Sequence, residues 1–118
     1  MKEFKQRVKK KGSGNKIEDG VGVRVHLKGR LANGTVFENS YESERGPSEY
    51  IQGTRKTIPC IEKGLEGMRN GTEVDLVCPP NYAFGEEGKG KVPANAKVFY
   101  SAQVLEVWSK EQMEVIRR

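Results

Sequence analysis

Hydrophobic residues recur along this chain mostly at every second position, the period of a strand with one buried face. Val21, Val23, Val25 and Leu27 fall on one side, and Gly22, Arg24, His26 and Lys28 on the other. The run continues through Gly29 and Leu31 to Asn33-Gly34, a strong hairpin signal, and Thr35-Val36-Phe37 reads as the returning strand. Thr72 to Cys78 alternates again, with Val74, Leu76 and Cys78 inward, until Pro79-Pro80 stops it. Val98 to Val107 predicts a last long strand. Only one internal segment has helical spacing. Pro59 suits a first helical position, and Ile61, Leu65 and Met68 follow at i, i+4 and i+7. This predicts a helix of about three turns that ends at Asn70-Gly71.

Weaker signals fill the gaps. Glu3 to Lys11 reads as a short edge strand anchored by Phe4 and Val8, or as a solvated basic arm, and Gly12-Ser13-Gly14 ends it. Residues 39–47 are a polar loop, with a brief extended stretch at Tyr50-Ile51. Residues 85–91 hold only glycine and charge, a mobile surface loop. Ser109 with Gln112 forms a capping box that opens a trailing helix containing Met113 and Ile116. His26 is expected to face solvent from its strand. No strand–helix–strand rhythm appears, so the reading is an antiparallel α+β domain with the helix against one face of the sheet.

Length and composition narrow this further. The 118 residues are one domain, divided here into 1–16 (basic arm or edge strand), 17–108 (the domain proper) and 109–118 (a C-terminal helix or the start of a linker). Fourteen glycines and five prolines suit short elements and many turns. No apolar run approaches the ~18 residues of a membrane span, and no apolar segment near Met1 suggests export. An intracellular protein is therefore expected, cytoplasmic or nuclear. The charge of +5 is unevenly placed: residues 1–16 hold seven of the 21 basic residues and one of the 16 acidic ones. The remaining chain, with 14 basic and 15 acidic residues, is nearly neutral. Lys9, Lys10 and Lys11 give nucleic acid an accessory electrostatic contact at most, because no aromatic residues interleave with basic ones in the domain.

Candidate chemistry is sparse. Cys60 and Cys78 read as reduced thiols, given no export signal. His26, the single histidine, makes no zinc site with them at any recognised spacing. Asn33-Gly34-Thr35 and Asn70-Gly71-Thr72 fit the glycosylation sequon but read as turns. Gly85 to Lys91 nearly spells a phosphate-binding loop, yet Val92 stands where Ser or Thr would bind magnesium and Pro93 where a helix would open. No Ser or Cys nucleophile has a second candidate base. No metal or cofactor is expected.

Five blocks, in order, change this picture. Ile58-Pro59-Cys60-Ile61-Glu62-Lys63-Gly64-Leu65-Glu66-Gly67-Met68, followed by Gly71, resembles the V-I-P-G-W-E-E-G-L-x-x-M-x-x-G helix of the FKBP-type peptidyl-prolyl cis-trans isomerases, or immunophilins. Pro80-Asn81-Tyr82-Ala83-Phe84-Gly85 resembles their P-x-x-A-Y-G, and Val92-Pro93-Ala94-Asn95-Ala96 their I-P-P-N-A. Val25-His26-Leu27-Lys28-Gly29 is similar to V-H-Y-x-G, and Asn33 to Ser40 to D-G-x-x-F-D-S-S. The resemblance implies an FKBP-like fold over 17–108: five or six antiparallel strands wrapped around one short helix, with a shallow apolar pocket between them. It also implies interconversion of cis and trans Xaa-Pro bonds in protein folding, by desolvating and twisting the amide. Rotation faces a barrier of ~20 kcal/mol and breaks no bond, so no nucleophile or cofactor is needed.

The same resemblance implies a site. Phe37, Ile58 and Val92 keep apolar character and are expected to grip the proline ring. Phe37, Glu38, Ile58, Phe84 and Tyr100 stand at catalytic positions, with Leu27, Thr57, Ile61 and Val92 binding substrate. The pocket departs from the family pattern. Ile61 replaces the Trp floor, Leu27 a Tyr, Glu38 an Asp, Ser48 an aromatic, Thr57 a Val and Tyr100 a Phe, so one hydroxyl is expected to cross the pocket. Phe84 replaces a Tyr that binds a ligand carbonyl, a loss of ~0.5–1.5 kcal/mol, or up to about tenfold in affinity. Macrolide binding should therefore be weak. Two functions remain open: a weak isomerase acting on proline-containing peptides or proteins, or an inactive interaction module of a multidomain co-chaperone or scaffold that continues from the trailing helix.

Overall fold

A computed structural model of the chain describes residues 4–116. Eight strands form: β1 (Lys5–Lys10), β2 (Ser13–Lys16), β3 (Gly22–Leu31), β4 (Val36–Asn39), β5 (Ser48–Ile51), β6 (Arg69–Asn70), β7 (Glu73–Cys78) and β8 (Val98–Trp108). Helix α1 (Pro59–Leu65) lies between β5 and β6, and α2 (Lys110–Ile116) follows β8. Six strands make one antiparallel sheet in the order β1-β7-β8-β3-β4, with β5 also on β3, and β2 pairs β6 in a small ribbon. This is the expected α+β architecture.

Strand β3 is the spine. One edge pairs with β8 from Gly22↔Trp108 to Leu31↔Val98. The other edge is shared: β5 takes Gly22–Val25 and β4 takes Lys28–Arg30. Between them the exposed ladder is closed by Ser40, whose Oγ accepts the Leu27 N–H at 2.8 Å and whose own N–H donates to the Leu27 carbonyl at 2.9 Å. His26 joins this junction. Its ring stacks on Tyr41 at 4.0 Å between centroids and its Nδ1 lies 2.8 Å from Ser40 Oγ, so it is half-buried and engaged instead of simply facing solvent.

The inward residues of β3, β7 and β8 meet α1 in one core that includes Val23, Val25, Leu65, Leu76, Val98 and Val104. In β8 the buried phase slips between Val104 and Val107, opposite a bulge at Arg24/Val25 that lets both residues point inward.

The helix is shorter than its spacing predicts. It stops at Leu65; Gly67 takes φ +83° and Met68 turns away to accept the Ile17 N–H at 2.7 Å, while the Gly67 N–H donates to the Ile17 carbonyl at 2.8 Å. A left-handed glycine ends the helix one turn early, and Arg69-Asn70 becomes a strand. Strand β2 was not expected, having no apolar alternation.

The cysteines require a correction. Cys78 does point inward, but opposite Cys60 on α1, and the two form a disulfide with a Cα–Cα distance of 5.7 Å and no solvent exposure. They are not reduced thiols, which withdraws the thiol argument for a reducing compartment.

The segment 85–91 is likewise more defined than a loop of glycine and charge suggests. Gly88 N–H donates to the Phe84 carbonyl, and Lys89 and Val92 exchange two backbone hydrogen bonds of 2.9 and 2.8 Å. The basic segment pairs along β7 from Lys5 to Lys10, with Phe4 against Tyr82 and Val8 40% exposed; Glu3 lies outside the described residues. The capping box forms: Ser109 N–H donates to Gln112 Oε1 at 2.7 Å and Gln112 N–H to Ser109 Oγ at 3.1 Å.

A candidate substrate cleft with a hydroxyl–carboxylate pair

The cleft is built around a missing side chain. In the sheet register Gly29 of β3 lies opposite Glu38 of β4 on one side and opposite Tyr100 of β8 on the other. Cross-strand partners project to the same face, so Glu38 and Tyr100 flank a gap one strand wide. A Cβ at Gly29 would sit 2.6 Å from Phe37 Cζ and 3.0 Å from Tyr100 Cε1. Glycine here gives the two rings their space. Across that gap the Tyr100 hydroxyl donates to Glu38 Oε1 at 2.6 Å.

Burial, the hydrogen bond to Glu38 and the Glu38 charge, in that order, all push the Tyr100 phenol well above its usual range. The hydroxyl thus stays protonated and acts as a donor to the carboxylate. The short O–H···O distance is that of a charge-assisted bond.

A cleft of about 460 Å³ opens in front of this pair. Its apolar walls are Leu27, Ile58, Ile61 and Phe84, with Thr57 and Pro59 on the α1 side. Ile58 is extended (φ −66°, ψ 150°) at the start of α1, and Pro59 follows in the first turn, which fixes where Ile58 leaves the chain. Ile61 also lines the cleft while remaining almost fully buried in the core, at 1% exposure. Phe84 follows a short 3₁₀ turn at Pro80–Tyr82.

Seven of the nine expected site residues therefore line one cleft. Phe37 stands behind it, packing edge-on against Phe84 and Tyr100 with centroids 5.7 Å apart in both pairs, and lines an adjoining depression of about 560 Å³ that shares Glu38 and Ser48. Val92 is not among the lining residues. It is 3% exposed and its backbone closes the 85–91 segment against Lys89.

The expected hydroxyl is present on the β8 side, carried by Tyr100. Sequence reasoning missed the rim. Arg55, Lys56 and Lys89 also line the cleft, from two segments without periodicity. The adjacent basic pair directly before Thr57-Ile58-Pro59 was the available signal.

The chain is similar throughout this region to proteins of one family. A family profile described as FKBP-type peptidyl-prolyl cis-trans isomerase matches residues 13–105. The chain is 35% identical over 103 residues to the FKBP-type peptidyl-prolyl cis-trans isomerase FkpA of Buchnera aphidicola subsp. Baizongia pistaciae, a match covering 87% of this chain and 40% of the relative. It is 33% identical over 93 residues to FK506-binding protein 2 of Yarrowia lipolytica, covering 78% and 64%. The crystal structure of FkpA from Escherichia coli superposes with a TM-score of 0.81 at 29% identity, over 91% of this chain and 49% of that one. The chain thus spans about two-fifths to two-thirds of these relatives. All nine expected site residues fall inside the matched region, whereas β1 and α2 fall outside it.

Proposed function

The chain belongs to the FKBP-type peptidyl-prolyl cis-trans isomerase family, and we propose that its cleft interconverts cis and trans Xaa-Pro bonds in peptide and protein substrates. The observation that carries this reading is the Tyr100–Glu38 hydrogen bond at the wall of an aliphatic and aromatic cleft. The barrier of ~20 kcal/mol arises from amide resonance, which places partial charges on oxygen and nitrogen. Twisting the bond removes that charge separation. Walls formed by Leu27, Ile58, Ile61 and Phe84 solvate the planar, polar amide worse than water does and the twisted one comparatively well. Glu38, held by Tyr100, presents a fixed charge to a carbonyl whose dipole rotates during the reaction, so the field needs no reorganisation.

Activity on short peptides is modest in this reading. Ile61 offers no indole face beneath the proline ring, and Phe84 offers no hydroxyl to a substrate carbonyl. The same two residues make macrolide binding weak.

Two-dimensional NMR exchange on a Leu-Pro peptide, with catalytic amounts of protein, tests the proposal. Protein-dependent exchange peaks that disappear in a folded Ile58→Ser variant support an active cleft; Ile58 is half-buried, so the variant is expected to fold. A well-folded protein without acceleration overturns the isomerase reading and leaves a proline-binding module.

A further inference from the structure

We infer that the cleft discriminates by charge next to the proline, favouring Asp or Glu over Lys or Arg, through a cationic rim formed by Arg55, Lys56 and Lys89. This rests on the reading of the cleft as a proline-peptide site. The three cations come from two separate segments, Arg55 and Lys56 from the one entering α1 and Lys89 from the turn after Phe84. Their formal charge faces a single carboxylate in the cleft, and that carboxylate, Glu38, already accepts a hydrogen bond from Tyr100. The net charge at the mouth is therefore positive, although the chain beyond residue 16 is nearly neutral. The rim is thus a local concentration and does not reflect a generally basic surface.

Nearby acidic groups do not cancel it. Glu49 pairs with Arg24 at 3.5 Å, outside the cleft. Glu62 lies outside the cleft lining, but its Oε2 accepts the backbone N–H of Arg55 at 2.9 Å, so its charge offsets part of the rim; three cations against Glu38 and Glu62 still leave the mouth positive, and no ion pair involves Arg55, Lys56 or Lys89 among the described residues. Glu86 and Glu87 do not line the cleft. The backbones that carry the cations are fixed. Arg55 has φ +60° and is tied to Glu62, with Thr54 bonded to the Ile51 carbonyl beside it, and Lys89 is bonded twice to Val92. The adjoining depression holds both Arg45 and Glu49 and so leaves this balance unchanged.

A chain that places its proline against Ile61 and Phe84 must bring its neighbouring residues past this rim. A carboxylate there gains exposed ion pairs and an ammonium is repelled. Because the rim touches flanking residues and not the rotating bond, the preference should appear mainly in KM.

The experiment uses peptides of one length with Glu, Leu or Lys immediately before or immediately after the proline, and measures kcat/KM by NMR exchange. The expected result is a preference of about three- to tenfold for Glu over Lys on at least one side, carried by KM. It should shrink toward unity at about 0.5 M salt, where screening is strong. It should invert in a double charge-reversal variant, Arg55→Glu with Lys89→Glu, both exposed positions where folding is retained. Equal rates for Glu and Lys peptides, or a preference that survives charge reversal, overturn the inference while Leu-Pro turnover still upholds the isomerase reading. If no peptide is turned over, chemical-shift titration of the Ile58 and Phe84 amides decides the question. Tighter binding of the Glu peptide supports acidic selectivity in a non-catalytic cleft, and equal or absent binding overturns it.

Discussion

Replacing Tyr100 by Phe removes one oxygen and leaves everything else in place. The ring keeps its edge-on contact with Phe37, and Gly29 still clears it. What is lost is the 2.6 Å hydrogen bond to Glu38. Hydrogen bonds to charged groups contribute roughly 1.5–3 kcal/mol when both groups are shielded. Glu38 is only half-buried, so water replaces part of the lost interaction. We therefore expect a net stability loss of about 1 kcal/mol, which for a domain of this size lowers Tm by roughly 3–5 °C. Glu38 also loses its orientation at the cleft wall, and kcat/KM on a Leu-Pro peptide should fall by about fivefold, with kcat carrying most of the loss. The decisive assay is a double-mutant cycle with Glu38→Gln, read in both unfolding and exchange rates. Coupling of about 1 kcal/mol between the two positions is the expected outcome. If Tyr100→Phe turns over substrate within twofold of the parent, or costs the same with and without Glu38, the hydroxyl–carboxylate pair has no part in the reaction.

Three further outcomes follow from the same structure. Reducing the Cys60–Cys78 disulfide, or replacing both cysteines by Ser, releases a closed loop of 18 residues and should cost about 3 kcal/mol, a Tm drop near 10 °C in calorimetry with and without reductant; an unchanged Tm with confirmed free thiols would count against the linkage as a stabilising element. Tyr100 and Tyr50 are both raised above the usual phenol value of about 10, chiefly by burial and further by Glu38 and Glu62 respectively, so the folded state holds their protons more tightly than the unfolded one. The stability they contribute is complete below about pH 10 and is lost as pH rises above it; alkaline unfolding followed at 295 nm should show this, with a shallower slope for Tyr100→Phe. Trp108 lines a separate depression with Tyr50 and Met113 and not the candidate cleft, so a proline peptide should change its fluorescence little, and a large saturable change would move the site.

Alternation made the large strands legible because a strand's buried face is a local, period-two property. It placed Val74, Leu76 and Cys78 inward and the Asn33-Gly34 turn where the structure has them. The helical period overruns the true helix end because Met68 falls at i+7 by position alone, while Gly67, inside the periodic run, takes the left-handed conformation that ends the helix. The disulfide was hidden for a different reason. Parity told that Cys78 faces inward, but nothing local told that Cys60 faces it.

The same limit applies to the cleft. Resemblance supplied Glu38 and Tyr100 as site positions, yet their bond depends on both lying opposite Gly29 in the sheet register, which is a property of three strands together. The rim cations sit on non-repeating segments whose side-chain directions no period predicts. Val92 shows the reverse case, an apolar residue at a family site position that this fold uses to close a turn.

The shared spine of the sheet also sets the order in which the protein can assemble. Strand β3 finds its main partner, β8, only near the other end of the chain, and Glu38 meets Tyr100 across 62 residues. Loop closure over such distances must be completed before any contact rewards it, which favours slow folding in the millisecond-to-second range typical of sheet topologies. During synthesis the hairpin at Asn33-Gly34 can form early, but the seven-residue helix is marginal without the sheet, and the cleft lacks its Tyr100 side until β8 has left the ribosome and inserted between β3 and β7. Any ligand that needs the Tyr100 side of the cleft would therefore report on a chain in which β8 has already paired with β3.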